Sequence, residues 1–391
     1  MNRLPFRFAA PEKGAADLLI IAGEHSGDQH AAAMVQEALA QKPDLRVAAL
    51  GGPELAAAGA QLLYDLTASS VVGFFEVLKN YSLFRALFHE TVRWIGEHRP
   101  KAVCFVDYPG FNLRLAAELH ERRLSRKGGG AIKTLYYISP QIWAWKPRRR
   151  FTMARHLDAL AVIFPFEVRS YADAALPVEF VGHPFVAENY QAPVHYDSGG
   201  PILLLPGSRR QAVARIFPKM LAGFRALNRG EAVVIYPSED VAGVLRAARP
   251  PDNVNLLAMG GVPGGRALLS KPVAAAAVLT SSGTMSMHCA LAAIPGAIVY
   301  RANILTYFLG RQLVKVPYLG IANLLLGEPM YPEFIQGAAT PGNLSRELAQ
   351  CLRDPARREK TAEQAARLRE VLQQPAAGTA ANWLLRQMAG I

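Results

Sequence analysis

Ile202-Leu203-Leu204-Leu205-Pro206-Gly207-Ser208-Arg209 is an apolar strand that runs into a Gly/Ser turn and then into a helical pattern. Val278-Leu279-Thr280-Ser281-Ser282-Gly283-Thr284 repeats the device in the same half of the chain. A helix that begins at such a turn points free backbone N–H groups and its positive dipole end at whatever lies in front of it. Two such ends predict a diphosphate site, with Ser208, Arg209, Ser282, Gly283 and Thr284 as its cradle. Arg209 adds a planar charge suited to two phosphate oxygens.

Working outward, residues 201–205, 232–236, 254–257, 273–280 and 297–300 read as strands separated by helical patterns. The preceding half carries the same rhythm, with strands at 17–22, 46–50, 102–106, 133–139 and 160–164 and a helix at 28–41. Such alternation is the βαβ signature of a parallel sheet. A Pro/Gly-rich stretch from Gly182 to Pro201 separates the halves, and the tail from Asn343 to Gln387 reads as consecutive helices. The expected fold is α/β: two doubly wound, Rossmann-like domains facing a cleft, with C-terminal helices. The expected domains are residues 15–188, residues 200–355, and a helical segment 356–391 packing back toward the first domain. Ligands of such sheets bind at the carboxyl ends of the strands.

At 391 residues and 51% hydrophobic composition, the chain has enough apolar material for two cores. Its cysteines, Cys104, Cys289 and Cys351, lie in apolar patterns without metal-like spacing, which predicts buried thiols in a reducing compartment. No signal peptide and no transmembrane run are evident, so the expected location is cytoplasmic. The net charge of +12 fits a phosphorylated substrate, an anionic membrane surface or nucleic acid. No nucleic-acid motif accompanies the densest basic run, Lys146-Pro147-Arg148-Arg149-Arg150.

Other motifs follow predicted strands. In Gly23-Glu24-His25-Ser26-Gly27-Asp28, Asp28 reads as a helix cap, while Glu24 and Ser26 are free for sugar hydroxyls. Asp107, in Val106-Asp107-Tyr108-Pro109-Gly110-Phe111-Asn112, is either a general base for an attacking hydroxyl or a cap for the next helix. Trp143 and Trp145, in Tyr137-Ile138-Ser139-Pro140-Gln141-Ile142-Trp143-Ala144-Trp145, are packing residues or an aromatic wall for sugar or acyl chain. Phe74, Val77, Leu78, Tyr81, Phe84 and Phe88 follow helical spacing, as a core-facing helix or as an amphipathic face lying on a membrane. No Asp-x-Asp occurs and the histidines lack metal spacing, so no metal or other cofactor is expected. His183, beside Pro184, reads as a structural residue at the hinge.

These motifs, together with Gly51-Gly52-Pro53, Val72-Gly73-Phe74-Phe75-Glu76-Val77-Leu78, Tyr300-Arg301 and Asn323-Leu324-Leu325, fall in one order over residues 17 to about 330. The ordered set resembles the lipid-A-disaccharide synthase family. The resemblance implies a GT-B glycosyltransferase of lipid A biosynthesis, peripheral on the inner face of the inner membrane. It implies an inverting transfer from UDP-2,3-diacylglucosamine to 2,3-diacylglucosamine 1-phosphate, giving a β-1,6 disaccharide 1-phosphate and UDP. On this reading Asp107 is the catalytic base. Ser208, Arg209, Ser282, Gly283, Thr284, His288, Arg301 and Asn323 serve the UDP donor. Glu24, Ser26, Asn112 and Trp143 serve the acceptor. Phe74, Phe75, Val77, Leu78, Tyr81 and Phe84 meet membrane and acyl chains. The resemblance also implies that the chain can form a homodimer intertwined through its C-terminal half.

Two positions depart from the family pattern. Ala212 and His288 stand where the family usually has glutamates, and both lie on the donor side. They leave open a relative with a changed UDP-sugar donor, or a non-catalytic lipid- or nucleotide-binding paralogue.

Overall fold

The computed structural model describes residues 7–12, 14–67, 81–187, 190–259, 271–303, 316–373 and 378–389. The chain divides into two compact units. The first is Met1–Pro184 with Leu372–Ile391, and the second is Phe185–Val371.

The first unit holds a seven-stranded sheet in the order β3-β2-β1-β4-β5-β6-β7. Its strands are β1 (Leu18–Ala22), β2 (Val47–Gly51), β3 (Gln61–Asp65), β4 (Ala102–Val106), β5 (Lys133–Tyr137), β6 (Ala159–Val162) and β7 (Val178–Phe180). All pairings are parallel, and β1 lies in register with β4 from Leu18↔Ala102 to Ala22↔Val106. Every residue of β1, β2, β4 and β6 is buried. That explains their unbroken apolar runs, because helices cover both faces of a parallel sheet. Strands β3 and β7, missed in the sequence, are edge strands whose residues are only partly buried.

Helix α1 (His25–Gln41) starts three residues earlier than its pattern predicts, and α2 (Pro53–Ala57) follows β2. Helix α3 (Tyr81–His98) is the described part of the long helical pattern. From Leu87 onward its apolar face is core: Leu87, Val92, Trp94 and Ile95 are buried, and Phe88 meets Phe111 edge-on. Phe84 is half-buried. Phe74, Phe75, Val77 and Leu78, assigned to membrane contact, lie outside the described residues, as does the side chain of Tyr81. No helix among the described residues is long and apolar enough to cross a membrane.

The second unit has a six-stranded parallel sheet in the order β11-β10-β9-β13-β14-β15. These are β9 (Ile202–Leu205), β10 (Ala232–Tyr236), β11 (Val254–Ala258), β13 (Ala277–Thr280), β14 (Gly296–Tyr300) and β15 (Glu333–Ile335). The expected single strand at 273–280 is two. Its first part, β12 (Val273–Ala275), pairs with β8 (Val194–Tyr196), a strand inside the stretch read as a linker.

The tail is helical, as the sequence predicts, but its helices part company. Helix 341–353 and helix 355–373 up to Val371 belong to the second unit. Arg357 ties them there, pairing with Glu347 and donating to the carbonyls of Gly296 and Met330. Only the last helix, Ala380–Ala389, joins the first unit, where it packs on α1 and β6 with Ala381, Trp383 and Leu384 buried.

Candidate functional site

In each sheet the strand order reverses between two neighbours, β1 and β4 in the first unit and β9 and β13 in the second. Loops leaving the carboxyl ends of such a strand pair diverge and leave a crevice, the usual ligand position in doubly wound sheets. The motifs singled out in the sequence occupy both reversal points.

In the first unit the loops after β1 and β4 are built against each other. A Cβ on Gly23 would come within 2.1 Å of the Tyr108 ring, so only glycine lets that ring lie over the β1 turn. Asp107 and Tyr108 adopt left-handed backbone conformations, with φ of 45° and 48°. Two consecutive non-glycine residues there store strain, of order 1–3 kcal/mol each, that the surroundings must offset. The Asp107 N–H donates to the Tyr137 carbonyl at 3.0 Å. The Asp107 carbonyl accepts from the Tyr136 hydroxyl at 2.6 Å and from the Asn112 amide at 2.8 Å.

The Asp107 carboxylate is thereby presented at a half-buried position. Loss of water there, and then the charge of Glu24, raises its pKa to about 6. It remains ionised at neutral pH while being a stronger base than an ordinary aspartate, as proton abstraction from a hydroxyl demands. Glu24 and Ser26 are half-buried beside it at the start of α1, and Glu24 has no capping bond.

Asp28 is not a cap for its own helix. Fully buried, it reaches across to α2 and accepts from the N–H groups of Gly52, Glu54 and Leu55 at 2.8, 3.0 and 3.3 Å. Asn112, assigned to the acceptor, is also fully buried. Its amide donates to the carbonyls of Ile21, Val106 and Asp107, stapling β1 to the Asp107 turn. It positions the base and has no surface to offer a substrate.

Trp143 is half-buried, with its ring edge-on to Phe166 at 5.2 Å. Its indole N–H donates to Glu167 at 3.2 Å. Glu167 was not singled out in the sequence. It is 2% exposed and also accepts from the Phe164 N–H at 3.2 Å. Burial raises its pKa to about 8, so it is neutral at pH 7 and holds Trp143 without adding a charge beside Asp107. The available signal was an acid just past an apolar strand in Phe164-Pro165-Phe166-Glu167.

In the second unit the Gly/Ser turns lie side by side, because β9 and β13 pair from Ala277↔Ile202 to Thr280↔Leu205. The Ser281 N–H donates to the Leu205 carbonyl at 2.8 Å. Gly207 has φ +111°, and a Cβ there would sit 3.2 Å from the Ser281 hydroxyl oxygen. Ser281, also overlooked, therefore lies where the two turns meet. Two helices, Arg210–Leu227 and Thr284–Leu291, start from these turns, and neither has a side-chain cap. Ser208, Arg209, Gly283 and Thr284 are exposed and Ser282 is half-buried. The free N–H groups of both first turns and the Arg209 guanidinium make an open anion receptor. Arg301 is exposed just beyond β14.

Two donor-side assignments are corrected. Asn323 is fully buried. Its oxygen accepts from the N–H groups of Met330 and Tyr331, and its nitrogen donates to the Tyr331 carbonyl and to Glu333. Every hydrogen-bonding position is spent on shaping residues 320–333, so its importance is structural. His288 is 5% exposed and stacks on Phe185 at 3.9 Å, with Tyr190 parallel to it at 5.7 Å. The Tyr190 hydroxyl lies 3.2 Å from Nδ1. The imidazole fills an aromatic stack within this unit instead of presenting itself to a ribose. Among the described residues no group of three or more His, Cys, Asp or Glu side chains is placed to share a metal ion.

Two Rossmann-like units in one chain, each with its motifs at the sheet's reversal point, are the architecture of GT-B glycosyltransferases. Solved structures share it. A UDP-N-acetylglucosamine 2-epimerase from Neisseria meningitidis matches with a TM-score of 0.59 at 10% identity, covering 96% of this chain and 100% of that one. The calicheamicin glycosyltransferase matches with a TM-score of 0.52 at 13% identity, over 96% and 98%.

The sequence narrows this class. The profile of the lipid-A-disaccharide synthetase family matches residues 18–386. A lipid-A-disaccharide synthase from Geobacter sulfurreducens is 37% identical over 371 residues, 91% of this chain and 92% of the relative. Lipid-A-disaccharide synthase 1 from Legionella pneumophila is 36% identical over 375 residues, 92% and 94%. The chain belongs to the lipid-A-disaccharide synthase family.

Proposed function

We propose that this protein is an inverting glycosyltransferase that joins UDP-2,3-diacylglucosamine to 2,3-diacylglucosamine 1-phosphate. The products are the β-1,6 disaccharide 1-phosphate and UDP. The acceptor 6-hydroxyl gives its proton to Asp107 and attacks the anomeric carbon of the donor. The new C–O bond forms as the bond to the UDP phosphate oxygen breaks, on the opposite face of the sugar. Negative charge that develops on the departing UDP is met by Arg209 and by the N–H groups at Ser208–Arg210 and Ser282–Thr284. No metal ion takes part on this reading, because a guanidinium and two helix ends supply the positive charge.

The observation that carries the proposal is the division of labour between the two reversal points. One presents a desolvated, basic carboxylate, and the other an open anion receptor. Acylated substrates bring the enzyme to a lipid surface, so it works as a peripheral protein on the inner face of the inner membrane. The segment Phe74–Phe84 is its acyl-facing contact, and the protein works as a homodimer.

The deciding experiment incubates the purified full-length protein with both substrates and weighs the products. A disaccharide 1-phosphate with stoichiometric UDP, unaffected by EDTA, is expected. Absence of the disaccharide would end the transferase reading. Phe75→Ser with Phe84→Ser should weaken sedimentation with vesicles, and unchanged pelleting would return that segment to the interior.

A further inference from the structure

The loop after β5 carries a feature that the transfer chemistry leaves unused. The Lys146 ammonium lies 4.5 Å from the centre of the Trp145 ring, and the Arg149 guanidinium lies 5.5 Å from the same centre. Two like charges therefore lie against one indole that is itself 42% exposed. Among the described residues neither cation has a carboxylate partner, nor does their neighbour Arg148. The next arginine behaves differently: Arg150 forks onto both oxygens of Asp173 at 2.5 Å and is neutralised. Nature thus balanced one arginine of the run and left the adjacent charges open.

Contact with a ring face uses none of either cation's N–H donors. An oxyanion with several acceptor atoms would satisfy both at once. The loop's position gives that anion a meaning. Val106 pairs with Tyr137, so the loop leaves the sheet directly beside the Asp107 turn. Tyr136, whose hydroxyl holds the Asp107 carbonyl, lies on the same strand β5 from which the loop departs.

We propose that Lys146 and Arg149, gathered on Trp145, form a phosphomonoester subsite that takes the 1-phosphate of the acceptor sugar. The proposal rests on the transferase reading for the identity of the acceptor. It adds that the enzyme selects a phosphorylated monosaccharide through these two side chains. The phosphate would anchor one end of the ring while the 6-hydroxyl at the other end meets Asp107.

The test uses the full-length protein, with glucosamine 1-phosphate and unphosphorylated glucosamine as probes whose binding is followed by saturation-transfer NMR. Wild type should prefer the phosphate by about tenfold or more, as two charge-assisted contacts would give. Lys146→Gln with Arg149→Gln should abolish that preference while UDP binding and thermal midpoint stay unchanged. A wild-type protein without the preference, or a variant that keeps it, would overturn the subsite. A parallel arm measures sedimentation with phosphatidylglycerol and phosphatidylcholine vesicles. Loss of phosphatidylglycerol binding in the variant, with the glucosamine 1-phosphate preference intact, would assign the cations to the bilayer and also overturn it. These readouts need no turnover, so they separate this subsite from the transferase reading itself.

Discussion

The two reversal points use the same architecture to opposite ends. At the β1/β4 point the working group is a side chain, and the fold spends buried polar groups to hold it. Asn112, Tyr136 and the Tyr137 carbonyl all grip the backbone of Asp107. At the β9/β13 point the working groups are backbone amides, and Ser208, Arg209, Gly283 and Thr284 around them are exposed. The contrast follows from what each must do. A base needs desolvation to become basic, and desolvation demands a rigid, buried frame. A phosphate site needs positive potential that survives in water, which helix ends and a guanidinium supply without burial.

The largest effect should come from removing the base. Asp107→Asn keeps the shape of the first point and should lower turnover by about 10²–10⁴-fold, the usual contribution of a positioned proton acceptor. UDP binding, a property of the second point, should be unchanged by calorimetry. Loss of both would mean that the two points are not separable.

Asn323→Ala tests whether the second unit depends on buried polar frames as the first does. It strands the Met330 and Tyr331 N–H groups and should cost about 2–3 kcal/mol. The expected fall in the thermal midpoint is roughly 5–10 °C. A stable variant with only a raised donor KM would instead make Asn323 a direct ligand.

The finest test is pH dependence. Asp107 must be ionised to accept a proton, and its pKa is raised to about 6. kcat/KM should therefore fall as pH drops through 6 and be flat above it. The Glu24 charge contributes to that elevation, so Glu24→Gln should move the limb to lower pH. A limb that stays in place would separate Glu24 electrically from the base.

The same contrast explains what could be read in the sequence. The inner strands and the two serine turns were legible because an apolar run followed by Gly or Pro is a local pattern, whereas the partly buried edge strands β3 and β7 lack such a run. Asn112 and Asn323 were misassigned because a polar residue near a motif looks like a ligand when its partners are unseen, and Asp28 was assigned to cap the wrong helix for the same want of partners. Those partners lie 24 to 27 residues away for Asp28 and 91 residues away for the bond from Asn112 to Ile21. His288 failed for a related reason: Phe185, its closest stacking partner, comes from the stretch read only as a linker. Glu167, an acid just past an apolar strand, and Ser281, the first residue of the second serine turn, carried weak signals, and only packing shows what they touch.

The final helix carries a consequence for biogenesis. Trp383 and Leu384 are wholly enclosed in the unit that begins at the N-terminus. While the chain has been synthesised only as far as Pro184, that unit therefore lacks part of its interior, and an apolar patch over α1 and β6 awaits residues 380–389. Nonsense or frameshift lesions just before Ala380 should thus injure the unit whose sheet is made earlier.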